Sequence, residues 1–145
     1  MKIEIDPDTG YLPPGAHPVT WPEMVALCGQ NGHRLRMIDG LRLALLNLKA
    51  AGCREVLLDG SFVSSKELPN DYDGAWEPAG VDPTLIDATL LTFNDGRRAM
   101  KAKYQGELFP ASATAAAGVL YRDFFQSDRN GTAKGVLLID LGSVT

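Results

Sequence analysis

From Leu58 the chain reads Leu-Asp-Gly-Ser-Phe-Val-Ser-Ser-Lys-Glu-Leu-Pro-Asn-Asp-Tyr-Asp, ending at Asp73. Asp71 and Asp73 are two apart, so on a strand both carboxylates point to one face and can converge on a hard cation. Mg²⁺ suits that arrangement, because it takes one or two protein carboxylates and completes its shell with water and substrate phosphates. Gly60 lets the backbone pass close to a triphosphate. Ser61 and the amides after it can donate to phosphate oxygens if a short helix starts there. Lys66, in the same polar loop, is a further phosphate-contact candidate, although a lone lysine in such a loop is more often solvated. The chemistry indicated is that of a metal and a nucleotide.

Simpler roles exist for the same residues. Gly-Ser and Asp-x-Asp are each common, and an acidic pair after Pro69-Asn70 can simply cap a turn. Asp59-Gly60 can be a hairpin turn, which would move Ser61 off the strand end. A nucleophilic role for Ser61 is rejected, since Asp59-Gly60-Ser61-Phe62-Val63 lacks the second glycine of a hydrolase elbow. His17 and His33 have no ligand-spaced companion. Cys28 and Cys53 follow neither metal nor disulfide spacing and read as reduced, structural thiols.

The surrounding elements must position these groups. Pro7, Gly10, Pro13, Pro14, Gly15 and Pro18 make residues 1–19 an extended arm, leaving 20–145 as one domain. Thr20-Trp21-Pro22-Glu23 spells a capping box, and a short helix should run to Gly29. From His33 to Ala51, Leu35, Ile38, Leu41, Leu45 and Leu48 lay one stripe along a longer helix, with Gly52 as its stop. Glu55–Asp59 reads as a buried strand and Tyr72–Trp76 as a second strand beside it. Asp82-Pro83 should open a helix to Leu91. Arg97 to Tyr104 is a further helix whose Arg97, Arg98, Lys101 and Lys103 read as a solvated basic face, as Arg34 and Arg36 do on the long helix. Phe124-Phe125-Gln126 and Val136–Ile139 suggest a hairpin turning at Asn130-Gly131.

Composition sets the outer limits. With 145 residues, 45% hydrophobic and 22% charged, one core is expected. A net charge of −4, from 14 basic and 18 acidic residues, argues against a protein that coats nucleic acid through a general basic face. The start, Met1 to Asp6, has no apolar signal core, and no apolar run approaches the ~18 residues of a membrane span. A cytoplasmic location without membrane contact is the expectation.

A hydrophobic strand, Gly-Ser, a spacer, then two acidic residues flanking one other: this pattern resembles the signature of the DNA polymerase β-like nucleotidyltransferase superfamily. The likeness extends loosely over Leu12 to Trp76 and the chain's end, towards the small bacterial and phage nucleotidyltransferase-like, antitoxin-like branch. It implies an α/β (α+β) fold, a mixed sheet flanked by helices. It also implies Mg²⁺ on Asp71 and Asp73, with ATP or another nucleoside triphosphate on Gly60 and Ser61. The reaction implied is transfer of a nucleoside monophosphate to a protein or nucleic-acid acceptor, with a toxin as a partner. Such sites usually carry a third carboxylate. Glu107, a helix length beyond the second strand, is preferred to Asp140. Gly74 departs from the pattern, which has a bulky apolar residue there, so a bulge is expected. The alternative is a non-catalytic interaction protein that keeps this fold.

Overall fold

A computed structural model describes residues 3–115, 118–128 and 130–145. Met1 and Lys2 of the leader reading, Ala116 and Ala117 of the Ala-rich stretch, and Arg129 of the expected hairpin turn lie outside the described residues. Strands β1 (Gly15–Val19), β2 (Glu55–Asp59), β3 (Tyr72–Trp76), β4 (Gly106–Pro110) and β5 (Gly135–Asp140) form one sheet in the order β1-β5-β2-β3-β4. β2 is antiparallel to β5 and β3, whereas β1 with β5 and β3 with β4 are parallel. Helices α1 (Trp21–Cys28), α2 (Gly32–Ala50) and α3 (Asn94–Tyr104) and the single turn α4 (Tyr121–Phe124) complete a mixed α/β architecture.

Strand alternation sorts the sheet into two faces. Val56, Leu58, Tyr72, Trp76, Leu108, Leu137 and Ile139 turn to a core shared with Leu41, Leu45 and Leu48 of α2. Each fully buried leucine there contributes about 1.5–3 kcal/mol. Leu57, Ala75, Phe109 and Val136 turn the other way, against Ala111, Phe125 and the partly buried Tyr121. The capping box is present: Thr20 N donates to Glu23 Oε1 at 2.9 Å and Glu23 N donates to Thr20 Oγ1 at 3.4 Å. Of the α2 stripe, only Leu35 is exposed.

Several expected elements differ. The arm ends as an edge strand, because β1 docks in parallel on β5 and Leu12 is buried ahead of it. Residues 83–91 form two 3-10 turns, Pro83–Leu85 and Ala88–Leu91, instead of one helix. Asp82 and Asp87 each accept from an amide two residues on, so the second aspartate restarts the chain before the first turn can propagate. The expected hairpin is reduced: residues 121–124 are helical and β5 pairs with β1 and β2. Among the described residues the antiparallel pairing around Asn130-Gly131 is one bridge, Ser127 to Ala133, flanked by Lys134 N donating to Gln126 O and Asp128 N donating to Thr132 O. No bulge occurs at Gly74, where the register runs unbroken through Leu58 and Leu57. A Cβ at Gly74 would stand 2.7 Å from both Leu57 O and Leu108 Cδ2, so the missing side chain makes room for Leu108.

Candidate functional site

The sheet register builds a row of acids. Asp59, the last residue of β2, faces Asp73 of β3, which faces Glu107 of β4. Asp73 and Glu107 lie two residues before Ala75 and Phe109 and share their face of the sheet. Asp71 stands one residue ahead of β3. Asp59 and Glu107 are 3% and 8% exposed, and Asp71 and Asp73 are partly buried. Asp140 is elsewhere: it pairs with Glu55 at the far end of β2, and its side chain accepts from Gly142 N at 3.0 Å.

Cations flank the row. Lys134 Nζ lies 3.1 Å from Asp59 Oδ2. Lys101 Nζ lies 2.7 Å from Glu107 Oε1 and 3.9 Å from Asp71 Oδ2, and Arg97 Nη2 is 3.3 Å from the same Glu107 oxygen. These cations, with the exposed Lys66 whose charge also acts on Asp71, do not fully offset the acids, because the row is crowded into partly dry surroundings. Burial, then the charges of Asp71, Glu107 and Asp59, push the Asp73 carboxyl up to about 7. Asp71 is raised by burial and by Glu107, against Lys101. Asp59 is raised by burial, with Lys134 opposing. Carboxyls shifted together in this way are a mark of functional sites as well as of ion-pair networks.

The Gly-Ser turn packs directly on this row. Gly60 has φ 92° and ψ −173°, a glycine conformation, and a Cβ there would stand 2.7 Å from Asp73 Oδ2. Beyond Gly60 the backbone makes a single 3-10 turn, Ser61–Val63, in place of the short helix that phosphate binding by successive amides would use. The Lys66 side chain is exposed, with its charge acting on Asp71, while its carbonyl accepts from Arg34 and its amide donates to Ser64 Oγ.

Arg34 corrects the solvated reading. It is 2% exposed, and its guanidinium donates to Cys28 O, Phe62 O, Ser64 O and Lys66 O at 2.6–3.1 Å, lying over the Phe62 ring. A buried cation thus collects the carbonyls of the loop between Gly60 and Asp71. Arg97 and Lys101 also depart from the expected solvated face, because both engage Glu107. Sequence spacing gives no sign of Asp59 and Lys134; only the strand register, which brings β5 beside β2, places them together. A cleft of about 690 Å³ opens beside Asp59 and Asp73, with Tyr11, Phe124, Phe125 and Lys134 in its walls.

Among the described residues, no set of three or more His, Cys, Asp or Glu side chains converges as a metal cage. No helix of those residues is long and apolar enough to cross a membrane. Residues 3–140 match a family model described as "Family of unknown function (DUF6932)", and the chain belongs to that family. No curated protein and no solved structure matches the chain.

Proposed function

We propose that this member of a family of unknown function is a Mg²⁺-dependent nucleotidyltransferase-like domain that binds ATP or another nucleoside triphosphate. The observation that carries the reading is the register Asp59–Asp73–Glu107, with Gly60 packed against Asp73. It sets a third carboxylate beside the Asp-x-Asp pair and a close-approach glycine over it. The donor set fits a hard cation that needs only one or two protein carboxylates and takes its remaining ligands from phosphates and water. When bound, Mg²⁺ supplies charge neutralisation along the phosphate chain. Asp71 and Asp73 are the residues that would hold it, and Gly60 would let the phosphates approach the strand end. Glu107 accepts the proton of the acceptor hydroxyl as that oxygen attacks the α-phosphorus. The α–β phosphoanhydride bond breaks and pyrophosphate leaves. The acceptor in this reading is a protein or nucleic-acid hydroxyl, a toxin partner among them, and the setting is cytoplasmic.

Incubation with labelled nucleoside triphosphate, Mg²⁺ and a cell extract tests the assignment. The parent and Asp140→Asn should transfer label, whereas Glu107→Gln should bind nucleotide without transferring it, since the amide cannot take the proton. Loss of transfer in Asp140→Asn with retention in Glu107→Gln would overturn the assignment. Nucleotide binding without transfer by the parent would favour a non-catalytic interaction protein.

A further inference from the structure

Lys101 and Arg97 converge on the acids of the row. Both reach one oxygen, Glu107 Oε1, and the Lys101 ammonium also lies 3.9 Å from Asp71 Oδ2, so it stands between two of the acids assigned to the cation and the transfer step. Arg97 is held there against local preference. Asp95, Gly96 and Arg97 have φ of 53°, 62° and 61°, a left-handed run that interrupts α3 before its regular turns. For Asp95 and Arg97 that conformation costs on the order of 1 kcal/mol or more each. The Arg97 guanidinium lies over the Phe109 ring, 5.7 Å from its centroid, and its buried Nε has no hydrogen-bond partner. A strained cation with an unsatisfied donor, beside a lysine that bridges two carboxylates, is a poor endpoint and a good starting position.

We infer that Lys101 and Arg97 are placeholder cations: they neutralise Glu107 and Asp71 while the site is empty and exchange onto the terminal phosphates of the nucleotide when a divalent cation occupies the carboxylates. The inference rests on the nucleotidyltransferase reading and gives these two residues phosphate-binding roles within it. Charge balance drives the exchange. With a divalent ion among the acids, the Lys101 ammonium and Arg97 guanidinium would be repelled from the carboxylates and would pair with the adjacent phosphates instead. Arg97 presents a planar fork suited to phosphate, and Lys101 a compact point charge.

The consequence is a pair of opposite effects from one substitution. Lys101→Met removes a competitor for the carboxylates and also a ligand for the phosphates. Calorimetric titration with Mn²⁺ alone should therefore show affinity roughly fivefold to tenfold tighter than in the parent, from loss of one adjacent like charge. Titration with a non-hydrolysable triphosphate at saturating Mn²⁺ should show affinity weaker by about tenfold or more, the weight of a charge-assisted phosphate contact. Arg97→Met should act in the same two directions, and thermal melts would establish that both variants fold. Unchanged or weaker Mn²⁺ binding, or unchanged triphosphate binding, would overturn the placeholder role while leaving the metal site standing. Failure of the parent to bind Mn²⁺ at all would overturn the metal reading and this inference with it.

Discussion

At Asp73 burial and neighbouring acids work against ionisation, and this has a thermodynamic signature. Its folded-state carboxyl is raised to about 7, above the value near 4 of an unfolded chain, so the folded protein holds the extra proton between those two pH values. That proton's stabilisation is fully present below about pH 4 and is lost as pH rises towards and through 7. Asp73→Asn, which cannot ionise, should raise the unfolding free energy at pH 8 without metal by on the order of 2 kcal/mol and change it little at pH 4. Denaturant melts at the two pH values check this. An equal effect at both would mean that Asp73 is not held under charge stress. Gly60 carries a complementary prediction. With φ 92° and a hypothetical Cβ 2.7 Å from Asp73 Oδ2, Gly60→Val should cost about 2 kcal/mol or more and also displace the Asp73 carboxylate. Parent-like stability and nucleotide affinity in this variant would remove the turn from the site.

The loop between β2 and β3 takes its shape from the first turn of α2. Asn31 caps that turn by accepting from Arg34 N, and its amide donates to Glu67 O. Arg34 gathers Phe62 O, Ser64 O and Lys66 O, and His33 Nε2 lies 2.5 Å from Pro69 O. Arg34→Lys should therefore cost roughly 3 kcal/mol, because one ammonium cannot span carbonyls placed for a guanidinium fork. Hydrogen exchange should accelerate specifically at residues 61–67. Uniform acceleration would instead indicate global destabilisation. The chain pattern makes the capping box, α2 and strands β2 and β3 legible, because apolar spacing, caps and strand alternation are local. It leaves Arg34 reading as solvated, since nothing local tells a helix arginine that the carbonyls awaiting it lie 28 to 32 residues further on. The 3-10 turns of 83–91 escape for a related reason: Asp82-Pro83 is a sound helix start, and the competing aspartate at position 87 acts only through its own turn.

Across the whole molecule, the acid row depends on strand order. Asp71 and Asp73 are recognisable from their spacing, and Glu107 follows from the resemblance. Asp59 and Lys134, 75 positions apart, meet only because β5 inserts between β1 and β2. Lys101 and Arg97 are visible as a basic cluster but not as partners of Glu107, because that pairing needs α3 to lead into β4 beside the row. The sheet thus separates two roles that one chain end could otherwise confuse, with Glu107 in the row and Asp140 at the opposite end of β2. The most direct test is calorimetric titration of a non-hydrolysable ATP analogue with Mg²⁺ into the parent, Asp73→Asn and Asp140→Asn. The parent and Asp140→Asn should bind alike, Asp73→Asn should lose binding by about a hundredfold or more, and a chelator should abolish it throughout. Absence of binding by the parent, or equal binding by Asp73→Asn, would contradict the account.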